Sequence, residues 1–344
     1  MTDEALTQVR AAHRFDEARL AHYLSRQLPG FAGPLSVQQF EGGQSNPTYL
    51  LSTPTQKYVL RKKPPGKLLP SAHMIEREYR VMQALQNSAV PVPPVHLLCA
   101  DDSIIGTPFY VMGYVEGRLL RDPTLPGLAA SERQALYKAM IKTLAALHTL
   151  DYPTTGLSDF GKPDGYIGRQ IRRWSEQYRA SKTREIDAME HLMEWLPAHI
   201  PADHSCCLVH GDFRLDNMLF HPEEPRVLAL LDWELSTLGH PLADLAYTCM
   251  VYHIRMPAGY LGEVAGQQGI PTEQELIAEY CRLTDRASIP DWQFYLAFSM
   301  FRYAAIVQGV HFRGLQGNAS SASALRYGEL ATTVGTQAWA MIHR

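Results

Sequence analysis

His210, Asp212, Asn217 and Asp232 are the side chains whose types and spacing most directly suggest chemistry. The first three fall in the pattern H-x-D-x-x-x-x-N, and Asp232 follows the apolar run 227–231. An Asp beside an acceptor hydroxyl can orient it or accept its proton. An Asn and a second Asp supply the few hard oxygen ligands that Mg2+ accepts when phosphate oxygens and waters fill the rest of its shell. Together they suit phosphoryl transfer from a nucleotide, with Asp212 as base or orienting residue and Asn217 and Asp232 as metal ligands. Arg214 adds a cation able to neutralise a transferred phosphoryl group, with an ion pair to Asp216 as its structural alternative. His210 suits a hydrogen-bonding brace for the loop better than a base.

These residues need elements that present them. An apolar strand over 206–209, a turn carrying His210-Gly211-Asp212, a hairpin marked by Pro222 and Pro225, and a second apolar strand over 227–231 would set Asn217 beside Asp232. Upstream, Leu20, Tyr23, Leu24 and Leu28 share one face of a helix over 15–28, which Pro29-Gly30 ends. Strands follow over 35–41, 47–53 and 57–63. The first turn between them, Gly42 to Asn46, offers backbone N–H groups to phosphate, so Ser45 and Asn46 are candidate nucleotide contacts. A plain hairpin turn is the alternative.

Strand alternation places Arg61 and Lys63 on one face and Lys62 on the other. A helix over 71–85 carries Glu76 and Glu78, and another strand covers 95–99. The β-rich run 109–117 would give its backbone, with Met112, Tyr114 and Val115, to an adenine ring. The division between lobes falls at 116–118, giving a small lobe over 1–116 and a large lobe over 117–344. In the latter, Ser131 caps a helix with Leu136, Met140, Leu144 and Leu147 at apolar spacing. A basic helix spans 168–184, and aromatic residues from Trp292 to Tyr303 form either core or an acyl-chain pocket.

The segments HGDFRLDN and LLDWELSTLGHPLADLAY resemble the aminoglycoside phosphotransferase and choline kinase superfamily. With YVLRKKPPGKLLPSAH, the likeness is closest to the kinase-like domain fused to some acyl-CoA dehydrogenases, and it covers nearly the whole chain. It implies an α+β, protein-kinase-like bilobal fold with a small β-rich N-lobe and a large, mainly helical C-lobe. It also implies ATP or GTP with Mg2+ as cofactors, and a small-molecule kinase. The resemblance gives Arg61, or else Lys63, the role of clamping nucleotide phosphates, where other kinases carry Lys. It gives Glu78 the role of pairing with that cation, and Asp244 that of tying down the catalytic loop. The acceptor it implies is a hydroxyacyl-CoA or another anionic hydroxy compound. An aminoglycoside acceptor and a non-catalytic nucleotide-binding scaffold are the alternatives.

Composition sets the outer bounds. The chain has 344 residues, 46% of them hydrophobic and 19% charged, which is the make-up of a globular protein with a large core. A net charge of −3 gives no electrostatic draw to nucleic acid or anionic membranes. The five cysteines show no C-x-x-C spacing and no disulfide framework, which fits a reducing, cytoplasmic setting. No run of about eighteen apolar residues occurs, and the N-terminal segment lacks the form of a leader. From Trp292 onward the only acid is Glu329, against four arginines, which favours an anionic acceptor over a polycation. Nothing in the sequence specifies an oligomeric state.

Overall fold

A computed structural model of the protein describes residues 6–41, 46–64, 74–254, 260–316 and 327–343. In chain order its first elements are β1 (Leu6–Thr7), α1 (Glu17–Gln27), β2 (Ser36–Phe40), β3 (Thr48–Ser52), β4 (Lys57–Lys62), α2 (Ile75–Leu85), β5 (Val95–Cys99), β6 (Phe109–Gly113) and β7 (Arg118–Leu119). Next come α3 (Ala130–His148), α4 (Tyr166–Ser181), α5 (Asp187–Ala198), β8 (Cys207–Val209), β9 (Met218–Phe220), β10 (Val227–Leu230), β11 (Thr237–Gly239) and α6 (Pro241–Cys249). α7 (Glu273–Leu283), α8 (Trp292–Leu315) and α9 (Tyr327–Met341) complete the order. The chain divides into two compact units, Met1–Leu120 with Leu215–Ser236, and Arg121–Arg214 with Thr237–Arg344.

In the first unit an antiparallel sheet runs in the order β1-β2-β3-β4-β6-β5. Alternation along β3 and β4 turns Tyr49, Leu51, Tyr58 and Leu60 toward Leu20, Leu24 and Leu28 at α1. The Asp16 side chain caps α1 by accepting the Arg19 amide at 2.9 Å. The helix stops before Pro29 and Gly30, whose φ of +81° suits only glycine well. Each apolar side chain fully buried in this cluster contributes about 1.5 to 3 kcal/mol. Because the pleat alternates, Val59 and Arg61 face the other way, toward α2. Lys62 lies on the α1 face, near the Phe15 and Tyr49 rings.

A second sheet, β10-β9-β7, completes this unit. Residues 215–236, which the sequence division at 117 leaves in the large lobe, pack with the first unit. Gly117 is required where β7 begins, since a Cβ there would lie 2.6 Å from the Phe220 carbonyl oxygen.

The second unit is mainly helical. α8 lies at its centre, packing on α4, α5, α6 and α9, while α3 packs on α7. Phe294, Tyr295, Phe298, Phe301 and Tyr303 are buried core residues of α8. Two short strands, β8 and β11, pair antiparallel and frame α6, every residue of which is buried. α3 begins one residue before the Ser131 cap expected from sequence. Ala129 occupies the cap position with no side-chain bond, and the backbone of Gly269 lies against Ala130. The face of α4 bearing Arg172, Arg173 and Arg179 is exposed. No helix among the described residues is long and apolar enough to cross a membrane.

Candidate active site

The candidate residues fall into two groups, one in each unit. In the first unit the hairpin of β9 and β10 pairs Met218 with Leu230, and the Leu231 amide donates to the Asn217 carbonyl. The residues just outside the paired register, Asn217 and Asp232, are therefore neighbours, as the two apolar runs predict. Asp232 has φ 63° and ψ 61°, a left-handed conformation that costs a non-glycine residue about 1 to 2 kcal/mol. Strain of this kind is often retained at functional positions.

Arg61 reaches this hairpin from β4. Its NH2 donates to Asp232 Oδ1 at 2.8 Å, and its Nε lies 3.2 Å from Glu78 Oε2 on α2. Glu78 is buried and accepts two hydrogen bonds, from Asn46 Nδ2 at 2.9 Å and from the Tyr110 hydroxyl at 3.0 Å. Burial pushes the Glu78 carboxyl up to about 7, with Arg61 pulling in the opposite direction. The two carboxylates hold the Arg61 guanidinium firmly charged despite its burial. Lys63 pairs instead with Glu76 at 2.6 Å. Of the two cations left open by the sequence, Arg61 is the one engaged with Glu78 and Asp232.

The remaining nucleotide candidates have more varied placements. Asn46 is buried and braces Glu78, while Ser45 lies outside the described residues. Met112 is buried in β6, paired with Val59 and Val95. Tyr114 lies under the Lys57 ammonium, and Val115 is half-buried. The amides of Gly113 and Tyr114 already donate to the carbonyls of Pro94 and Lys57.

In the second unit the loop after β8 is fixed by backbone bonds. Asp244, in the first turn of α6, accepts the amides of His210 at 2.7 Å and Gly211 at 2.9 Å. Its carboxyl is held below the ordinary range because histidine and amide donors outweigh its burial. His210 Nδ1 accepts the Asp212 amide at 3.2 Å, so its proton is assigned to Nε2. Gly211 has φ +83°, which a Cβ would strain. Asp212 follows, partly exposed, with Arg214 Nε 3.5 Å from its Oδ1.

Sequence reasoning did not find the support behind Asp244. His148 Nε2, from α3, approaches Asp244 Oδ2 at 3.4 Å, and its Nδ1 lies 2.7 Å from the Tyr280 hydroxyl on α7. With Nε2–H directed at the carboxylate, Nδ1 is the acceptor for Tyr280. Local sequence around 148 and 280 carries no signal of this, because the partners are over ninety residues apart in chain order. α6 is itself anchored by His240, whose Nδ1 accepts the Leu242 amide at 3.2 Å. Burial pushes His240 down to about 4.

No cluster of three or more His, Cys, Asp or Glu suited to a metal occurs among the described residues. Asn217 and Asp232 nevertheless fit Mg2+, which takes few protein ligands when phosphates and waters supply the others. Asp232 Oδ1 is paired with the Arg61 guanidinium at 2.8 Å.

The phosphotransferase enzyme family matches residues 36–280. Acyl-CoA dehydrogenase family member 10 of Mus musculus is 51% identical over 311 residues, which make up 89% of this chain and 29% of that protein. The chain spans less than half the length of the curated relatives it matches. Among solved structures, a candidate aminoglycoside phosphotransferase from Ralstonia eutropha is 49% identical, with a TM-score of 0.86 over 96% of this chain and 99% of that one. A choline kinase from Cryptosporidium parvum, at 14% identity, has a TM-score of 0.65 over 95% and 96% of the two chains. An aminoglycoside phosphotransferase solved with AMP-PNP and hygromycin B, at 16% identity, has a TM-score of 0.61 over 94% and 98%. The last two likenesses concern fold alone. The fold is α+β and protein-kinase-like, with an antiparallel sheet in its N-terminal part and helices dominating its C-terminal part, as the sequence predicts.

Proposed function

The chain belongs to the phosphotransferase enzyme family, kinase-like enzymes of small molecules, and on that premise we propose that it phosphorylates a hydroxyl of an anionic acceptor, with a hydroxyacyl-CoA first among candidates. The donor is ATP or GTP. The acceptor oxygen forms the new bond to the terminal phosphorus, the bond to the nucleoside diphosphate breaks, and Asp212 orients or accepts the hydroxyl proton. Arg214 offsets negative charge on the transferred group, and Arg61, held by Glu78, faces the donor phosphates. Mg2+, when bound by Asn217 and Asp232, neutralises charge on the phosphates.

The observation that most supports this reading is the ion-pair chain from Glu78 through Arg61 to Asp232, which joins the strand cation, the helix glutamate and a metal-ligand candidate. Ser45, Asn46, Met112, Tyr114 and Val115 complete the proposed nucleotide contacts. An anionic acceptor is favoured by the poverty of acids after Trp292, since a polycationic aminoglycoside calls for carboxylates. We place the protein in the cytoplasm on its cysteine usage.

The test is release of nucleoside diphosphate from Mg-ATP or Mg-GTP with hydroxyacyl-CoAs, free hydroxy acids, choline and an aminoglycoside as acceptors. Acceptor-dependent release that falls by about 10^2 to 10^4 in Asp212→Asn supports the reading. Nucleotide binding without transfer to any acceptor favours a scaffold, and undiminished turnover in Asp212→Asn removes Asp212 from the role.

A further inference from the structure

Arg302, in the middle of α8, is a buried cation with no carboxylate partner among the described residues. Its guanidinium lies 4.8 Å from the centre of the Tyr247 ring and 5.6 Å from that of Trp174. Its NH2 donates to the carbonyl of Gly211, and its Nε has no hydrogen-bond partner. A buried, unneutralised charge costs several kcal/mol unless its surroundings return it. Two aromatic faces return part of it, since a desolvated cation–π contact is worth about 2 kcal/mol. A neutral side chain of similar shape would fill the same core without that cost. The position of the charge gives a reason for keeping it.

Gly211 is gripped from two sides. Asp244 on α6 takes the amides of His210 and Gly211, while Arg302 takes the Gly211 carbonyl. Asp212 begins on the far side of that carbonyl. The two grips therefore fix both the N–H and the C=O of the glycine whose left-handed φ aims the chain into Asp212. Tyr247 lies near both groups, for its phenol is raised first by burial, then by the Asp212 carboxylate, with Arg302 and Arg214 opposing. The ring thus lies within the fields of both Asp212 and Arg302.

We propose that Arg302 is a positioning residue for phosphoryl transfer: through the Gly211 carbonyl it sets the peptide plane that presents Asp212, and the Trp174 and Tyr247 rings hold its guanidinium in place. This rests on the reading of Asp212 as the residue that handles the acceptor hydroxyl. Lysine would supply a charge and a donor but not the planar fork that stacks on both rings.

The experiment compares wild type with Arg302→Lys and Arg302→Met by two measurements. The first is hydrogen exchange of peptides covering 206–214. Faster exchange of this loop in Arg302→Met, partly restored in Arg302→Lys, is expected, with protection of α5 and α9 unchanged. The second is the split between kcat and KM for nucleotide and acceptor. A kcat lower by about 10- to 100-fold in Arg302→Met is expected, as for loss of one charge-assisted hydrogen bond, with both KM values within about threefold of wild type. Loop protection equal to wild type in Arg302→Met overturns the proposal, as does a loss carried by KM. Should Arg302→Met fail to fold, Arg302→Lys alone decides, and wild-type protection and kcat in it count against the proposal. Arg302-dependent protection without acceptor turnover in wild type leaves the positioning role standing and removes the proposed function.

Discussion

Replacing Asp244 by Asn should cost far more than one charge on a helix first turn would suggest. The carboxylate serves three donors: Oδ2 takes the His210 amide and His148 Nε2, and Oδ1 takes the Gly211 amide. An amide has one oxygen. In its better orientation, Asn keeps the two donors on the Oδ2 side and turns its NH2 toward the Gly211 N–H. One backbone donor and the new amide hydrogens are then buried with no acceptor. At about 1 to 3 kcal/mol for each of these two buried polar groups left unsatisfied, the loss is about 2 to 6 kcal/mol. The competing expectation, a solvated acid favoured only by the helix dipole, is about 0.3 to 1 kcal/mol. Urea unfolding of wild type and Asp244→Asn separates the two. Amide exchange in the 206–214 peptides should rise together with the loss. A change below about 1 kcal/mol would refute the argument, because it would mean that the three bonds are made by water instead.

Arg61→Met removes the counter-charge of a buried glutamate, a change that usually costs about 3 to 5 kcal/mol. Because Asp232 is partly exposed and Glu78 can take up a proton, about 2 to 4 kcal/mol is expected here, and urea unfolding measures it. Nucleotide affinity should fall as well, and a variant with wild-type stability would show that the Glu78–Arg61 pair is not buried in solution. His240 gives the pH dependence. Its folded value of about 4 lies below its ordinary 6.5, so the neutral ring is the folded form. The unfolded chain takes up a proton as pH falls below about 6.5 and the folded chain does so only near 4. The stabilisation is therefore complete above 6.5 and lost on descending through that window. Between pH 7 and 5 the loss is about 2 kcal/mol. His240→Asn keeps an acceptor for the Leu242 amide and should flatten this part of the profile. An acid limb of unchanged slope would assign it to other groups.

What the sequence made legible depended on how local the constraint was. The spacing from His210 to Asn217 and the hairpin to Asp232 are set by chemistry and by two apolar runs, and both can be seen within thirty residues. Arg61 was separable from Lys62 because strand alternation gives neighbours opposite faces, although its choice over Lys63 needed the position of Glu78. The first three strands of the small unit's main sheet after β1 lie within one residue of their expected ends, since turn residues punctuate them. α3 starts without the expected Ser131 cap, since Ala129 takes the cap position with no side-chain bond. His148, Tyr280 and Arg302 left no local trace. Each belongs to an ordinary helical pattern, and its significance arises from a partner far along the chain. Arg302 in particular counts by sequence as one of several cations facing an acceptor, whereas its bond is to Gly211.

The discontinuity of the first unit bears on how the protein is made. Met1–Leu120 leaves the ribosome long before Leu215–Ser236, yet β7 has its hydrogen-bonded partner strand in β9, and the Leu230 amide donates to the Pro91 carbonyl. Until roughly the first two-thirds of the chain has been synthesised, the nascent N-terminal part lacks the hairpin that covers β7, and Arg61 lacks Asp232. An open strand edge and a half-paired buried cation would therefore persist through synthesis of the intervening helices. Truncation at residue 120 should give an aggregation-prone fragment, and a fusion that joins 215–236 to 1–120 through a linker should not share that liability.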